Sequence, residues 1–417
     1  MGIPFWLSLA VFIVVALSAL DVAIGWRKIR HLKDIALPSA TAQPMVSIIV
    51  SALNEADTIE PALCSLLAID YPELEIIVID DRSTDATPEI LDRIAAQHPA
   101  LHVLHIDRLP PGWLGKNHAL HRGAQLAKGE FLIFTDADAV FAPDAVLRAA
   151  AYCQAQAVDH LALFFDVVAR TRLLRMMLLS FGVSFMQRFR PWKVADSADH
   201  FIGIGGFNMV RTTAYHAVGG HAAIALAVID DLMLGKLFKA HGLRQHVLSG
   251  VDLVRIEWYP GTLEMIRGLD KNMFAAFDFQ LSRLIAVTPL ILAVRIWPWV
   301  ALVSTHGVLW WLSAATVLTS MALYVDLLRA RGWSPACLIF APLVPFIELV
   351  MFWRACLLTT LRGGVRWRGT TYALTDIRQA QAQMEAVIAN ASQASKRSAG
   401  QAAKTRQEGA ASRDIRR

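Results

Sequence analysis

The chain has 417 residues, of which 55% are hydrophobic and 18% charged, and its formal net charge is +5. This hydrophobic fraction exceeds that of an ordinary soluble domain, and the excess lies in residues 4–24 and 284–361. The net charge does not indicate nucleic-acid binding, because residues 378–417 hold eight Lys and Arg against three acids and account for all of it. We therefore expect no nucleic acid among the partners.

The N-terminal apolar segment, PFWLSLAVFIVVALSALDVAI, is long enough for one helical crossing of a membrane. We assign residues 1–26 to a transmembrane helix. The basic segment WRKIRHLK follows at once, and such flanks favour the cytoplasmic side, so the next domain is expected to face the cytoplasm. The alternative is a signal peptide, in which positive charges precede the apolar run and a small-residue cleavage site follows it.

Residues 44–280 alternate between strand-like and helix-like patterns. The strand-like segments are MVSIIVSAL, LEIIVIDD, LHVLHID and EFLIFTDAD, and the helical segments between them are ADTIEPALCSLLAI, TPEILDRIAAQ and GKNHALHRGAQLAKG. This alternation predicts an α/β domain with a parallel sheet and helices on its faces. Ligands of such sheets bind beyond the carboxyl ends of the strands.

Polar pairs follow three of these predicted strands: Asn54 and Glu55, Asp80 and Asp81, and Asp136 and Asp138. In an extended segment, residues two apart point to the same side, so Asp136 and Asp138 repel each other unless a cation lies between them. We expect a site for Mg²⁺ or Mn²⁺, which prefer oxygen ligands and bridge carboxylates to phosphates. The alternative is a strand that ends in a polar turn. Asp80 and Asp81 are suited to hydrogen-bond a ribose or a base, or else they belong to a capped turn.

The segment PPGWLGKNHALHRG supplies charge of the opposite sign. Lys116 and Arg122 lie in a predicted helix that follows a Pro-Pro-Gly turn, and the start of a helix favours anions. We predict that both residues bind phosphate, and the alternative is a solvated helix face. His118 and His121 are predicted to lie on the helix surface rather than to bind metal.

A further helix is predicted over AVIDDLMLGKLFKAHG and begins near Asp230 and Asp231. Acids at a helix start are ordinary caps. The functional alternative is a general base that takes the proton of an acceptor hydroxyl. No G-x-G-x-x-G follows the first strand and no Walker sequence occurs, which disfavours a dinucleotide site and an ATP P-loop.

The second apolar region is expected over residues 284–361 and contains Arg295 near its start. A charge at the bilayer centre costs about 2.5–3.5 kcal/mol, so we place residues 284–295 at the membrane interface. One crossing is then expected over 297–325, and a second crossing or a Pro-broken hairpin over 336–358. The basic segment LRGGVRWRG marks a cytoplasmic exit.

An alternative makes residues 284–302 a separate span, which would leave the C-terminal tail outside unless the last apolar segment is re-entrant. The tail over residues 378–417 is predicted to be basic and disordered, with weak attraction to anionic lipid headgroups. Together these segments predict a multi-pass protein of the cytoplasmic (inner) membrane.

Five segments, in this order, resemble family 2 glycosyltransferases: SIIVSALNEADTI, IIVIDDRSTDAT, GWLGKNHALHRGA, FTDADAVFAPD and IDDLMLG. The resemblance covers about residues 45–277 and is strongest to the membrane-anchored branch that glycosylates ceramide, carotenoid and hopanoid-type lipids. It implies the GT-A fold of nucleotide-diphospho-sugar transferases, which is a mixed, mainly parallel sheet with flanking helices, here with N-terminal and C-terminal transmembrane helices. It also implies a nucleotide-diphosphate sugar as donor, with a UDP-sugar ranked first, and a lipid acceptor.

The resemblance implies a role for each matching residue. Asn54, Glu55 and Asp81 would surround the nucleoside, with Asp80 in support. Asp136 and Asp138 would form the metal site. Asp231 resembles the catalytic base, and Asp230 stands where the family usually has Glu. The implied reaction is an inverting transfer of the sugar to a hydroxyl or carboxyl of a lipid-like acceptor.

The sequence departs from the family pattern in the Q/R-x-x-R-W motif. RGGVRW supplies Arg366 and Trp367 but has Gly363 at the first position, and Lys271 in LDKNMF is a candidate for part of that role. Two other functions stay open at this point. One is a nucleotidyltransferase on a similar fold, and the other is a non-catalytic membrane scaffold that binds a nucleotide-sugar.

Overall fold

A computed structural model describes residues 2–36 and 43–414, with side chains up to residue 397. Met1, within the predicted N-terminal helix, and residues 415–417 of the predicted tail lie outside the described residues. The strands are β1 (Val46–Ala52), β2 (Leu74–Asp81), β3 (Leu101–Ile106), β4 (Phe131–Asp136), β5 (Val140–Phe141), β6 (His160–Phe164), β7 (Asp166–Val167), β8 (Asn208–Arg211), β9 (Gln245–Ser249), β10 (Val254–Ile256), β11 (Gly364–Trp367) and β12 (Thr370–Ala373). The helices are α1 (Ile3–Trp26), α2 (Ile59–Leu67), α3 (Thr87–Ala95), α4 (Gly115–Leu126), α5 (Ala145–Ala155), α6 (Arg172–Phe189), α7 (Thr212–Ala217), α8 (Asp230–Ala240), α9 (Thr262–Gly268), α10 (Asp270–Ala275), α11 (Leu281–Ile291), α12 (Trp297–Ser304), α13 (Val308–Ala330), α14 (Val344–Leu361) and α15 (Leu374–Asp414).

The chain divides into two compact units. We call residues 31–166, 193–255 and 379–417 the sheet unit, and residues 1–30, 167–192 and 256–378 the helical unit. The domain boundaries predicted from the sequence stay predictions, because they were drawn on function and membrane placement rather than on compactness.

The sheet unit is built on a seven-stranded sheet with the order β3-β2-β1-β4-β8-β6-β9. The first four strands run parallel, whereas β8 is antiparallel to both of its neighbours. Every residue of β1 is buried, which explains its continuous apolar character. The predicted fold class, a mixed, mainly parallel sheet with flanking helices, is confirmed.

The register of the sheet brings the predicted polar pairs to one edge. Ala52 at the end of β1 pairs with Asp80 of β2, and Ser51 pairs with Asp136 of β4. The carboxyl ends of these three strands are therefore level. Helix α4 lies close against the sheet because Gly123 has no side chain, and a Cβ there would overlap Ile49.

The predicted disorder of the tail is wrong for its described residues, which belong to the long helix α15. Met384 and Ile388 are buried in the core of the sheet unit, with Phe238 among their cluster, and Ala391 packs against it. These apolar residues recur at helical spacing and form one face. The composition of the tail, rich in Ala, Gln and Ser, hides this narrow stripe.

Within the part of the chain that the structure describes, four helices are long and apolar enough to cross a membrane: Ile3–Trp26, Leu281–Ser304, Val308–Ala330 and Val344–Leu361. The second of these combines α11, a π-helical turn over residues 292–296 and α12. The crossing expected over 297–325 is wrong as one element, because the helix ends at Ser304 and restarts at Val308 after Gly307, whose φ is +61°. The structure thus favours the alternative in which residues 284–302 lie in a separate apolar helix.

Arg295 is half-buried among the helices of the helical unit. Its guanidinium donates to Ser180 Oγ at 2.6 Å, to Ser184 Oγ at 2.8 Å and to Glu348 Oε2 at 2.8 Å. An opposite charge and two hydroxyls satisfy the guanidinium, which offsets the cost of its burial. Local sequence does not reveal this pairing, because Glu348 lies 53 residues away, and the expected interfacial position of residues 284–295 stays a prediction.

Two contacts join the long helices of the helical unit. Arg27 and Trp26, at the end of α1, donate to Asp326 near the end of α13, so these two helices end at the same side of the helical unit. Helix α14 packs against α10 through the ion pair of Arg354 with Asp270. The second crossing or Pro-broken hairpin expected over residues 336–358 stays a prediction.

Candidate active site

Lys116 lies among the acids at the carboxyl ends of β2 and β4 and at the start of α8. We call this group of acids the acidic edge of the sheet unit. Lys116 lies in the first turn of α4, and its Nζ donates to Asp136 Oδ1 at 2.8 Å and lies 3.5 Å from Asp230 Oδ2. Burial opposes a charge on this side chain, but Asp136, Asp230 and Asp231 outweigh it and raise the pKa of Lys116 above its ordinary value. Lys116 is therefore a permanent cation among carboxylates from β4 and α8.

Two carboxylates of this edge have strongly raised pKa values. For Asp138 the first cause is burial, followed by the charges of Asp136 and Glu55. For Asp231 the first cause is again burial, followed by the charge of Asp230. One lysine thus compensates only part of the negative charge that these strand and helix ends bring together.

The uncompensated acids fit the predicted divalent cation. Among the described residues, no group of three or more His, Cys, Asp or Glu side chains is arranged to hold a metal by itself. Mg²⁺ commonly takes only one or two protein carboxylates and completes its shell with water and substrate phosphates. Burial raises the pKa of Asp138 first and the charges of Asp136 and Glu55 raise it further, so a cation bound by Asp136 and Asp138 would relieve both effects.

Gly205 lies next to both the lysine and two of the acids of the acidic edge. A Cβ at this position would lie 3.0 Å from Asp136 Oδ2, 3.5 Å from Asp231 Oδ2 and 3.6 Å from Lys116 Nζ. Two residues earlier, a Cβ on Gly203 would overlap the backbone carbonyl of Asp231. The glycines of GIGGFN therefore let the loop pass directly between the metal-site acid and the first turn of α8.

A buried polar network holds this loop. Gln245 accepts a hydrogen bond from Ile202 N at 3.0 Å and donates to the carbonyl oxygens of Ile202 and Gly235, at 3.0 and 3.1 Å. His160 links the side chains of Gln245 and Asn208, at 2.6 and 3.0 Å. Burial lowers the pKa of His160 to about 4, so the ring is neutral and can bridge a donor and an acceptor.

Asn208 completes the network, since its Oδ1 also accepts from Ile204 N at 3.1 Å. The backbone on both sides of Gly203 is therefore fixed by side chains from β6, β8 and β9. No sequence pattern predicts this network, because its His, Asn and Gln lie on three separate strands.

The first two predicted polar pairs form one loop cluster. Asn54, at φ +55°, accepts from Thr84 N at 2.8 Å, and Glu55 N donates to Thr87 Oγ1 at 2.8 Å. The chain after β1 is thereby fastened to the DRSTD segment after β2. The role of Asn54 and Glu55 beside the nucleoside stays a prediction.

Asp80 and Asp81 are both buried, and they differ in their partners. Asp80 accepts from Ser83 N at 3.2 Å and contacts His105 Nδ1 at 2.8 Å, so it shapes the turn. Asp81 receives a two-point contact from Arg82, at 2.8 and 2.9 Å. The capped-turn interpretation describes Asp80, whereas Asp81 lies beside α4, where a Cβ on Gly115 would overlap its carboxylate.

Helix α4 places its other polar residues differently from the prediction. His118 is buried and not on the surface, with its ring 5.5 Å from that of Trp113, while His121 stacks on the same indole at 4.9 Å. Burial lowers the pKa of both histidines, and the charge of Arg122 lowers them further. Arg122 thus neighbours these rings, and it is not among the groups gathered around Lys116.

Asn117 holds α4 in place, and no motif of the sequence indicated this role. It is fully buried, and its Nδ2 lies 2.9–3.1 Å from the carbonyl oxygens of Ile224, Ala225 and Ala227. It thereby ties α4 to the segment that leads into α8. Lys116 and Asp230 are held together through this contact.

The helix-cap interpretation of the acid pair is not what the geometry shows. The N-cap position of α8 belongs to Ile229, and neither acid caps from there. Asp230 is buried towards Lys116, while Asp231 accepts a hydrogen bond from Leu232 N at 2.7 Å and has its second oxygen near the Gly205 position. Both acids therefore join the cluster built on β4 and α4.

Residues 47–219 match the profile of the family described as "Glycosyl transferase family 2". A beta-monoglucosyldiacylglycerol synthase of a Nostoc species is 39% identical over 107 residues, which are 25% of this chain and 22% of the relative. A 4,4'-diaponeurosporenoate glycosyltransferase of Staphylococcus haemolyticus is 26% identical over 233 residues, which are 55% of this chain and 60% of the relative.

Among solved structures, the mannosyltransferase PcManGT from Pyrobaculum calidifontis, in complex with GDP-Man and Mn²⁺, superposes with a TM-score of 0.48. The alignment covers 85% of this chain and 99% of that one, at 21% sequence identity. The first of the curated relatives is matched over only about a fifth of its length, and Asp230 and Asp231 lie beyond the family match. The predicted resemblance is confirmed over the matched segment: residues 47–219 match glycosyl transferase family 2, and the mixed, mainly parallel sheet agrees with the fold class expected from it.

Proposed function

We propose that the chain is a membrane-bound, inverting glycosyltransferase that moves a sugar from a nucleoside diphosphate sugar to a hydroxyl or carboxyl of a lipid-like acceptor. The observation that carries this proposal is the convergence of Asp136, Lys116 and Asp231 around Gly205. Asp136, one of the two acids predicted to bind a divalent cation, meets Asp231, a buried acid with a raised pKa, at this point. A metal ligand and a base side by side are what a single displacement with a diphosphate leaving group needs.

The proposed step is an in-line displacement at the anomeric carbon. The acceptor oxygen forms its bond to that carbon while the bond to the diphosphate oxygen breaks, and the acceptor proton passes to the carboxylate of Asp231. The raised pKa of Asp231 makes it a stronger base than an ordinary aspartate. One displacement inverts the anomeric configuration.

Asp136 and Asp138 would hold Mg²⁺ or Mn²⁺, which supplies positive charge to the departing diphosphate. Lys116 adds a fixed cation beside Asp136. A preorganised charge of this kind stabilises the leaving group without rearrangement at the moment of reaction. Asn54, Glu55 and Asp81 would bind the nucleoside, with a UDP-sugar as the first candidate donor.

A lipid acceptor is supported by two observations. The relatives include proteins named for a monoglucosyldiacylglycerol product and a diaponeurosporenoate substrate, which are lipids. The chain also has four helices long and apolar enough to cross a membrane. We propose a multi-pass protein of the cytoplasmic membrane whose sheet unit faces the cytoplasm, where nucleotide-sugars are made.

The decisive test uses the purified full chain in detergent with UDP-glucose, Mg²⁺ or Mn²⁺ and a total lipid extract. We expect a lipid whose mass rises by one hexose, together with released UDP. Binding of UDP-glucose without any transfer would instead support the non-catalytic scaffold. Release of pyrophosphate from a nucleoside triphosphate and a sugar phosphate would support the nucleotidyltransferase.

The orientation can be tested with the chain's own thiols. Cys64 is exposed on the sheet unit, whereas Cys153, Cys337 and Cys356 are buried. A membrane-impermeant maleimide should label the chain in opened cells and leave it unlabelled in intact cells, and Cys64→Ser should remove the signal. Efficient labelling of Cys64 in intact cells would contradict the cytoplasmic orientation.

A further inference from the structure

A cavity of about 310 Å³ lies among the helices of the helical unit. Its lining comes from α1, α6, the apolar helix 281–304, α13 and α14. Most of the lining is apolar, as in Val15, Ala19, Val317 and Met321. All of the lining residues belong to the helical unit. We call this cavity the interhelical cavity.

The interhelical cavity opens on the outer surface of the long helices. Val14 of α1 and Leu290 of α11 both line it, and they are 54% and 60% exposed. If these helices cross a membrane, as we propose, exposed apolar side chains face the lipid tails. A ligand can therefore enter the cavity from the hydrocarbon layer.

Arg295 brings hydrogen-bond donors to this apolar lining. Its Nη1 donates to Ser184, and its Nη2 donates to Ser180 and Glu348, which uses three of the five guanidinium N–H groups. Among the described residues, the other two N–H groups have no acceptor. The hydroxyl of Tyr324 is a further donor in the lining.

The charge of Arg295 does not call for an anionic ligand, because Glu348 Oε2 lies 2.8 Å from its guanidinium. The cavity therefore offers donors without an excess of positive charge. Arg295 also lies on the π-helical turn over residues 292–296, and such turns are rare and often occur at functional sites. We infer that the ligand accepts hydrogen bonds and carries no charge at the point of contact.

We propose that the interhelical cavity binds the ester group and part of one acyl chain of a membrane glycerolipid. An ester carbonyl is a neutral hydrogen-bond acceptor, and in a glycerolipid it begins an apolar chain, so one molecule supplies both kinds of contact. The carbonyl oxygen accepts from Arg295 and Tyr324, and the chain packs against Val15, Ala19 and Val317.

The physical reason is that buried donors without acceptors are costly and the bilayer core holds no water to satisfy them. The volume of the cavity lies at the low end of the range of small-ligand sites. It therefore takes a part of the lipid and leaves the headgroup and the second chain outside.

The test measures binding in the absence of a donor sugar. The full chain in neutral detergent is titrated by calorimetry with dioctanoyl phosphatidylcholine and with its dioctyl ether analogue. The two lipids share a headgroup and chain length and differ in the carbonyl groups. Tyr324→Phe removes a donor, Arg295→Lys keeps a charge beside Glu348 with fewer donors, and Ser320→Leu fills the cavity from α13.

Two control variants change the same helix outside the lining. Thr319→Val removes a hydroxyl that donates to the carbonyl oxygen of Ala315 at 2.8 Å, and it matches Tyr324→Phe. Ala322→Leu adds the same bulk as Ser320→Leu at an exposed position of α13.

We expect the ester lipid to bind saturably and at least about tenfold more tightly than the ether lipid. Tyr324→Phe and Arg295→Lys should each weaken binding of the ester lipid about threefold or more and leave the ether lipid unchanged. Ser320→Leu should weaken both lipids at least about tenfold, because the space is lost. Both control variants should bind as the native protein does. If Arg295→Lys does not fold, Tyr324→Phe carries the test, because it removes one oxygen atom and keeps the ring.

Three results would overturn the proposal. Equal binding of the ester and ether lipids would show that the carbonyl is not recognised. Unchanged binding in Ser320→Leu would place the lipid elsewhere on the protein. Equal losses in Tyr324→Phe and Thr319→Val would show an effect that is not specific to the cavity. A protein without transferase activity could pass this test, so this proposal and the proposed function fail separately.

Discussion

The acidic edge of the sheet unit and the Arg295 site of the helical unit both hold charged side chains away from water, but they compensate the charge differently. At the acidic edge, Lys116 contacts Asp136 and Asp230, yet other acids of the same edge keep raised pKa values, so one lysine offsets only part of the negative charge. Arg295 is paired with Glu348, and two serine hydroxyls accept its other hydrogen bonds. A charge that is matched internally suits a structural role, whereas an excess of one sign suits a site that takes a charged ligand.

The two regions also differ in what supports their charged groups. The acidic edge rests on strand ends with level register and on a loop held by Gln245, His160 and Asn208. Arg295 lies on the π-helical turn between α11 and α12. Support from neighbouring strands and buried side chains suits groups that must be positioned against reacting atoms.

The largest effect is expected for Asp231→Asn, which would show that the acidic edge performs chemistry. The change keeps the shape of the side chain and removes the proton acceptor, so kcat should fall about 10²–10⁴-fold. The dissociation constant of UDP-glucose, measured by calorimetry, should stay within a few-fold. Asp230→Asn is the matched control and should be milder, because Asp230 contacts Lys116 and lies away from the acceptor in our proposal. A dead Asp230→Asn beside an active Asp231→Asn would move the base by one residue.

A second prediction asks whether the acidic edge needs an external cation beyond Lys116. Removal of Mg²⁺ and Mn²⁺ with EDTA should weaken UDP-glucose binding at least about tenfold, since charge-assisted contacts to the diphosphate are lost. Asp136→Asn should weaken it similarly even with metal present. Asp107→Asn is the control, an exposed acid at the end of β3. Equal affinity with and without EDTA would show that Lys116 suffices.

A third prediction concerns the common point at Gly205. Gly205→Ala should lower kcat about tenfold, because the methyl group would press on Asp136 Oδ2 at 3.0 Å and displace it by a few tenths of an ångström. Gly182→Ala is the control, since a Cβ there meets nothing within 4 Å. Full activity of Gly205→Ala would mean that the acids need not be held so closely.

The smallest effect is expected at Asp80, an acid of the acidic edge that is hydrogen-bonded to His105. The hydrogen bond to Asp80 raises the pKa of His105 above its usual value. A raised folded-state pKa stabilises the protein below the unfolded pKa of about 6.5, and this contribution is lost as the pH rises through the folded value. The thermal midpoint of the native protein should therefore drop more between pH 6 and pH 8 than that of His105→Gln.

The size of this difference should be modest, because the His105 side chain is 37% exposed and solvent screens the pair. A difference of less than about 1 kcal/mol is expected. Identical pH profiles for the two proteins would show that Asp80 does not use His105 as its partner, and would leave Asp80 open to a ligand.

Much of the sheet unit could be predicted from the sequence, since strand and helix periodicity are local. The helices α2, α3, α4 and α8 lie within the predicted segments, and the polar pairs after β1, β2 and β4 lie at one edge. Pairs that follow parallel strands lie at the same edge of the sheet, because the carboxyl ends of such strands point in the same direction. The helical unit was predicted less well, because hydropathy does not reveal where a buried charge finds its partner, as Arg295 finds Glu348.

The alternating architecture, the order of the acid pairs and the apolar helices follow from local sequence, because each depends on neighbours within a few residues. Long-range packing alone turns Lys116 inwards to Asp136 and Asp230, places Gly205 between Asp136 and Asp231, and docks α15 through Met384 and Ile388. These contacts join residues that are 20 to more than 100 positions apart. Their energies depend on packing and on burial in a low dielectric, which a local pattern does not encode.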